Sequence, residues 1–191
     1  MKKTILPFIA MLVCTALYAQ PREMGLRIGA GGLEAAYQHE LYSTQFIEAD
    51  LGMDLGYNLN GRPGIKATAS YNFIWAQPAW TAKGIWSIYS GPGMTLGYVD
   101  DIVPYEISGK MKGYYDEGFM IGFVVNVGVE YMFTVPLSIT LDVRPCVAVH
   151  MNEGRIKLPG TDMYADSKGK AGFYDNGLLG FIPSISIRYR F

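Results

Sequence analysis

The two histidines are the first residues to consider for chemistry, because imidazole is the commonest general base in enzymes. The sequence contains only His39 and His150. His150 is the better candidate for a base, with Asp54 and Asp142 as possible carboxylate partners, whereas His39 falls among the apolar positions of its segment. No serine lies at a motif spacing that would make it the nucleophile of a catalytic triad. The sequence therefore predicts no catalytic residues, no cofactor and no enzyme activity.

A second set of chemical groups alternates along the chain with apolar residues and could form ion pairs. If these polar positions share one enclosed space, that space receives five bases and six acids. They should neutralise one another, because an unpaired buried charge is costly. The predicted charge network, which we interpret as structural, comprises Arg27, Glu34, Glu48, Asp50, Asp54, Lys66, Glu130, Asp142, Arg144, Arg188 and Arg190.

Two longer polar stretches could bind ligands or partners. Residues 99–117 hold five acids against two lysines, and oxygen-rich clusters can hold Ca²⁺. Their spacing matches no calcium-binding loop, so a solvated acidic loop is the preferred interpretation and no metal site is predicted. Residues 151–176 are balanced in charge and carry Tyr164, Phe173 and Tyr174, which could form an adhesive surface or simply extend the neighbouring strands.

The elements that must position these residues are β-strands. In the last stretch, residues 177–191, apolar side chains occupy every second position from Phe181 to Phe191. They alternate with two serines and two arginines, Ser184, Ser186, Arg188 and Arg190, which is the period of a strand. Each such strand has one apolar face and one polar face, so the sequence predicts an all-β protein. The same alternation recurs in residues 24–30, 33–41, 47–57, 65–75, 86–98, 119–133 and 137–150.

Aromatic residues gather near the ends of these segments. Most segments are at least as long as the roughly 9 to 11 residues that a tilted strand needs to cross a membrane. Rings at such positions are typical of the headgroup level of a transmembrane barrel. The predicted interface aromatics are Tyr57, Trp75, Trp86, Tyr98, Tyr131, Phe133, Tyr189 and Phe191. A soluble sandwich could alternate in the same way, with its polar faces toward water.

The connections between the segments predict the topology. Residues 134–136 form a tight turn, whereas residues 99–117 and 151–176 are long and lie on the same side, because two strands separate them. Seven strands would leave the termini on opposite sides, so residues 25–41 are split at Gly31 and Gly32, a favourable pair for a hairpin. The prediction is an eight-stranded antiparallel up-and-down transmembrane β-barrel. An interior of that width is filled by its own side chains, so we expect no open pore.

The amino-terminal residues predict export. Lys2 and Lys3 precede an apolar run over residues 5–17, and cleavage is expected after Ala19. This gives a signal peptide, residues 1–19, and a barrel domain, residues 20–191. Charged residues make up 17% of the chain and the formal net charge is −1, so no nucleic-acid partner is expected. Cleavage leaves Cys146 as the single cysteine, so no intramolecular disulfide is expected.

Several segments resemble the small outer-membrane β-barrel proteins of Bacteroidetes, which share an OmpX-like or OmpA-like eight-stranded architecture. The segments that carry the resemblance are residues 36–39, 46–52, 128–145 and 187–191. It implies a location in the outer membrane. Since eight strands return both termini to the periplasm, we expect a monomer in that orientation, in contact with membrane lipids and lipopolysaccharide. It also implies insertion by the barrel-assembly machinery, with Ile187, Tyr189 and Phe191 as the assembly signal. The family supplies no settled activity.

The main expectation is a structural or surface-interaction role. The protein would support outer-membrane integrity, or contact lipopolysaccharide or a protein partner through residues 99–117 and 151–176. One alternative is a lipid A-modifying enzyme with His150 as its base. The others are a narrow channel and, more distantly, a soluble ligand-binding barrel.

Overall fold

A computed structural model describes residues 21–57, 62–107, 110–152, 155–157, 164–166 and 171–191. These residues form a closed, eight-stranded antiparallel β-barrel, which confirms the predicted fold class. The expected signal peptide, residues 1–19, lies outside the described residues, as do parts of the stretch 151–176.

Six barrel strands are continuous and pair with their neighbours in chain order. They are β1 (Arg22–Gly29), β2 (Gly32–Tyr42), β3 (Gln45–Asp54), β4 (Gly64–Ala76), β5 (Ile85–Ile107) and β6 (Lys110–Met132). The seventh barrel strand has two pieces, β7 (Leu137–Val143) and β8 (Cys146–Asn152), and both pair with β6. Two short strands, β9 (Arg155–Lys157) and β10 (Tyr164–Asp166), pair with each other in a separate sheet.

The eighth barrel strand closes the barrel and is also divided. Its first piece, β11 (Ala171–Phe173), pairs with β8. Its second piece, β12 (Ser184–Arg190), pairs with β7 on one side and with β1 on the other. Because the last strand pairs with the first, the sheet has no free edge along this ladder.

Because side chains alternate along each strand, the apolar ones point outward and the polar ones point inward. Along β12, Ile185 and Ile187 are about half exposed, whereas Ser186 and Arg188 are buried. The same division runs through β7, where Leu141 is 51% exposed and Thr140 is fully buried. The barrel is therefore polar inside and apolar outside, the reverse of a water-soluble core.

The hairpin that gives the eighth strand is present, with its turn one residue earlier than predicted. Gly29 pairs with Gly32, so Ala30 and Gly31 form the two-residue turn. Gly32 opens β2 with a φ of +147°, a conformation that other residues rarely adopt.

The prediction that residues 177–183 belong to the last strand is wrong. A 3₁₀ helix, Asp175–Phe181, stands there instead. Pro183 has no N–H to donate to a ladder, and a Cβ on Gly180 would overlap the Arg144 carbonyl. The Arg144 N–H donates to the Gly180 carbonyl over 2.7 Å, so the helix supplies a partner where the seventh strand is interrupted.

The prediction of a loop over residues 99–117 is also wrong. β5 and β6 remain paired in register from Ile85 opposite Met132 to Ile107 opposite Lys110. These two strands are the longest in the protein, with 23 residues each. They extend past the ends of their neighbours, and we call their outer part, residues 99–107 and 110–117, the hairpin extension.

The two ends of the barrel differ. Residues 43–44, 77–84 and 133–136 connect strands at one end, which we call the short-turn end, and include the tight turn predicted at residues 134–136. Both ends of the barrel chain meet there, because the Phe191 N–H donates to the Arg22 carbonyl over 2.9 Å. The hairpin extension and the 3₁₀ helix lie at the opposite end, which we call the extension end.

Candidate functional site: the charged lumen

Arg188 is the centre of the charge network at the short-turn half of the lumen. Its guanidinium lies 3.1 Å from Glu48 Oε1, 3.2 Å from Glu130 Oε1 and 3.4 Å from Glu23 Oε2. Ser138 donates a further hydrogen bond to Glu23. All of these side chains are at most 2% exposed, so one base serves three carboxyl groups out of water.

Glu48 joins the two halves of the network. Its Oε1 accepts hydrogen bonds from Arg188 over 3.1 Å and from Arg144 over 3.0 Å. Arg144 also donates to Asp50. A carboxylate between two guanidinium groups is well compensated, which is the condition under which buried charges are tolerated.

Arg27 and Lys66 complete the network toward the extension end. Arg27 donates to Glu34 over 2.8 Å and to Asp142 over 2.5 Å. Lys66 makes two longer contacts, 3.5 Å to Glu34 and 3.6 Å to Asp54. Five strands contribute these five residues, so the network connects the barrel wall across its interior.

The structure brings ten of the eleven predicted network residues together. Arg190 is separate: it is half buried near the short-turn end and donates to Met132 Sδ and to the Phe133 carbonyl. Glu23 was missed. It lies an even number of residues from Arg27, so both side chains point to the same face, but it comes one residue before the predicted first strand.

Acids outnumber bases in this network. Among the described residues, seven carboxyl groups contact only four bases, and the bases are Arg27, Lys66, Arg144 and Arg188. Burying three uncompensated negative charges would be very costly, so we infer that some of the carboxyl groups are neutral.

The lumen also holds apolar and aromatic side chains that the alternation did not predict. Phe46 and Tyr89 are fully buried and meet edge to face with ring centroids 5.1 Å apart. Near the extension end, a buried apolar cluster comprises Val99, Met120, Val124, Cys146, Ala148 and Tyr174. Together with the ion pairs, these side chains fill the interior.

Within the described residues, neither histidine forms a hydrogen bond with the carboxylates considered as its partners. His150 is buried inside the lumen, and its Nε2 lies 3.1 Å from the Val99 carbonyl, which fixes that nitrogen as the donor. The carboxylates considered as its partners are engaged elsewhere, Asp142 with Arg27 and Asp54 with Tyr174. His39 stacks on Tyr37, with ring centroids 6.4 Å apart, near the short-turn end.

The 3₁₀ helix is fixed across the lumen at the extension end. Tyr174 donates to Asp54 over 2.5 Å, and the Asp175 N–H donates to Asp101 Oδ2 over 2.8 Å. Asn176 donates to the Asp100 carbonyl over 2.8 Å and accepts from the Tyr57 N–H over 3.1 Å. Asp101 is fully buried, and this burial raises the pKa of its carboxyl.

The predicted interface aromatics lie on the outer surface in two groups. Tyr57 and Tyr98 are near the extension end, and the other six are near the short-turn end. Trp86 packs on Tyr131 at 4.7 Å between centroids, and Tyr131 on Phe133 at 4.6 Å. Trp80, which the alternation could not reveal because it lies in a turn, packs on Trp86 at 5.3 Å.

A comparison with protein-family models and with curated proteins finds no match for this chain. The fold and the lumen therefore define its class: a closed eight-stranded antiparallel barrel with a polar, filled interior. Among the described residues, no group of His, Cys, Asp or Glu side chains has an arrangement that could hold a metal ion. Within the same residues, no helix is long and apolar enough to cross a membrane, a criterion that does not apply to strands.

Proposed function

We propose that this chain is an integral outer-membrane β-barrel protein with a structural or surface-interaction role. The observation that carries the proposal is the apolar outer surface. Exposed aliphatic side chains occur on every barrel strand, for example Leu26 at 60%, Leu51 at 59% and Val147 at 67%. Soluble monomers rarely expose contiguous apolar patches larger than a few hundred Å². Acyl chains are the environment that suits such a surface.

The interior supports the same proposal. Charged side chains in the lumen are paired or hydrogen-bonded, and Arg188, Tyr89 and Phe46 are almost completely shielded from solvent. These buried side chains obstruct the short-turn half of the described barrel, so a structural barrel fits better than a channel. The aromatic groups near both ends fit the headgroup levels of a bilayer.

The extension end is the surface that we propose for contacts outside the cell. The hairpin extension rises beyond the other strands, and it presents Glu117 in an exposed ion pair with Arg62 at 3.1 Å. In this orientation the short-turn end and both termini face the periplasm. The protein acts as a monomer that contacts lipopolysaccharide or a protein partner, after a signal peptide has directed its export.

Cell fractionation tests the proposal directly. The mature protein should remain with outer membranes after washes with high salt and alkaline carbonate, which remove peripheral proteins. On a detergent gel the unheated protein should migrate differently from the heated one, because a closed barrel resists unfolding by detergent. Release into the wash, or identical migration before and after heating, would contradict membrane integration.

A further inference from the structure

A small cavity lies between the 3₁₀ helix and the charge network. Its volume is about 50 Å³, and the β1–β2 turn, residues 29–32, forms one side of it. The opposite side is formed by residues 176–182, which belong mainly to the 3₁₀ helix. Arg144 and Thr68 line its inner part, where the network begins.

The lining of this cavity is rich in cationic donors. Arg27, Lys66 and Arg144 all line it, against a single carboxylate, that of Glu34. The other acids that pair with these bases, Asp50, Asp54, Asp142 and Glu48, do not belong to the lining.

Two of these donors have no acceptor. The Nε–H groups of Arg27 and Arg144 are buried and lack a hydrogen-bond partner among the described residues. Their side chains are 10% and 4% exposed, so both are at least nine-tenths buried. A buried unsatisfied donor costs about 1 to 3 kcal/mol, more when it is charged, so an occupant with acceptor oxygens would be stabilising.

Lys66 is the base with the weakest existing contacts, since its Nζ lies 3.5 and 3.6 Å from its two carboxylate partners. It also lies beside the β1–β2 turn: a Cβ on Gly31 would be 3.7 Å from Lys66 Nζ and 3.9 Å from Asp54 Oδ1. Three of the four turn residues are glycines, so the turn itself places no large side chain over the cavity.

We propose that this cavity binds a small anionic group, a phosphate or a carboxylate, which enters beside the β1–β2 turn. A water molecule needs roughly 10 to 15 Å³ by this measure of volume, so about 50 Å³ has room for a group of three to five heavy atoms. The anion accepts hydrogen bonds from Lys66 and from the free Nε–H groups. It could be a free ion or the headgroup of a phosphorylated lipid.

Gly31 provides a test that leaves every network residue in place. Gly31→Asp puts a carboxylate next to Lys66, where it competes with the bound anion, whereas Gly31→Asn adds a side chain of the same shape without charge. Both residues are well tolerated in turns. A like charge about 4 Å away should weaken anion binding roughly fivefold or more.

The first experiment uses the folded barrel in zwitterionic detergent micelles. Sodium phosphate, compared with sodium chloride at equal ionic strength and pH, should raise the unfolding temperature of the wild type and of Gly31→Asn, and raise it much less for Gly31→Asp. In the second, nanodiscs of phosphatidylcholine contain a small fraction of bisphosphorylated lipid A or its dephosphorylated form, and native mass spectrometry measures which lipid is retained.

Retention of the phosphorylated lipid by Gly31→Asn but not by Gly31→Asp identifies a lipid headgroup as the source. A phosphate effect with the same dependence on the variant, without lipid retention, identifies a free ion. No phosphate effect and no lipid retention, or equal effects in both variants, overturns the proposal. The micelle experiment needs only a folded barrel, so its failure is distinguishable from a failure of membrane integration.

Discussion

At the scale of single residues, Arg188 determines whether the short-turn half of the lumen is electrostatically stable. Three carboxyl groups, those of Glu23, Glu48 and Glu130, contact this base, and Glu48 also contacts Arg144. Arg188→Met keeps most of the volume but removes the cation that contacts Glu23 and Glu130, and one of the two that contact Glu48. Removing one partner from a buried ion pair typically costs about 3 to 5 kcal/mol, and we expect a loss of that size in urea unfolding from lipid vesicles.

Arg62→Met is the control for this prediction. Arg62 pairs with Glu117 on the surface, where its side chain is 85% exposed. Losing an exposed pair should cost less than about 1 kcal/mol. If Arg188→Met were as mild as Arg62→Met, the lumen network would not stabilise the barrel.

The surplus of acids leads to a second prediction. If some lumen carboxyl groups are neutral, Glu130→Gln should change the unfolding free energy by less than about 1 kcal/mol, because the amide oxygen can still accept from Arg188. The same urea unfolding measures this change. A loss as large as that of Arg188→Met would mean that Glu130 is charged and that its charge is needed.

Asp101, in the hairpin extension, gives a prediction about pH. Burial raises the pKa of its carboxyl, so the folded protein keeps this proton to a higher pH than the unfolded chain does. The wild type should therefore lose stability relative to Asp101→Asn as the pH rises from about 4, the pKa of an unperturbed aspartate, through the raised value. The asparagine still accepts from the Asp175 N–H.

Unfolding temperatures of the wild type and of Asp101→Asn at pH 4 and pH 7 measure this difference. Comparison with the variant cancels the titration of all other groups. A relative gain of the wild type between pH 4 and pH 7 would contradict the direction given by burial.

The residue scale shows why sequence reasoning identified most of the network and missed part of it. Parity alone is sufficient to assign Arg27, Glu48 and Arg188 to one interior, because a strand turns every second residue inward. Parity could not identify which acid meets which base, since that depends on the register of strands far apart in sequence. It also placed Arg190 in the lumen. Arg190 is the last residue of β12, so its side chain lies at the rim of the barrel instead.

At the scale of elements, the ladder between β1 and β12 closes the barrel, and Gly25 permits their close approach. A Cβ at Gly25 would overlap the carbonyl oxygen of Ile187. Gly25→Ala should therefore strain this ladder, at a cost of about 1 to 3 kcal/mol. A smaller fraction of the refolded protein should then show the altered gel mobility of a closed barrel.

Gly172→Ala is the matched control, because a Cβ at Gly172 would meet no atom within 4 Å. It should refold as well as the wild type. Equal refolding yields for Gly25→Ala and Gly172→Ala would show that the β1–β12 ladder can accommodate a Cβ at position 25, contrary to the overlap in the structure.

The elements were predictable where alternation is the only signal, and less so where the backbone leaves the ladder. The alternation of the last segment begins at Phe181, yet the chain is in a 3₁₀ helix until that residue and β12 begins only at Ser184. Pro183 was the available signal, since a proline favours the first position of a strand or a bulge over its middle. In the hairpin extension, acidic composition suggested a loop although the pairing of β5 and β6 continues.

At the scale of the whole molecule, the filled interior predicts that the barrel does not conduct ions. Phe46, Tyr89 and Arg188 are almost completely buried across the short-turn half. In planar bilayers the wild-type protein should show no steady conductance for small ions. Regular opening steps would mean that these side chains move aside, and would favour a channel.

The overall architecture follows from length, alternation and turn placement, because these limit an eight-stranded barrel to very few arrangements. The 3₁₀ helix across the extension end and the cavity beneath it could not be derived in this way. They depend on contacts between Asn176, Tyr57 and Asp100, which the sequence separates widely. Inside the barrel, each lumen side chain needs particular partners, whereas on the outer surface any apolar side chain is suitable.

The most direct test of the proposed membrane integration uses single spin labels at Leu141 and Ile187, which point outward on neighbouring strands, and at Lys112 on the hairpin extension. After reconstitution into lipid vesicles, labels at Leu141 and Ile187 should be accessible to oxygen and shielded from a water-soluble nickel complex, and the label at Lys112 should show the opposite. If labels at all three positions were equally accessible to the nickel complex, the apolar surface would not face lipid.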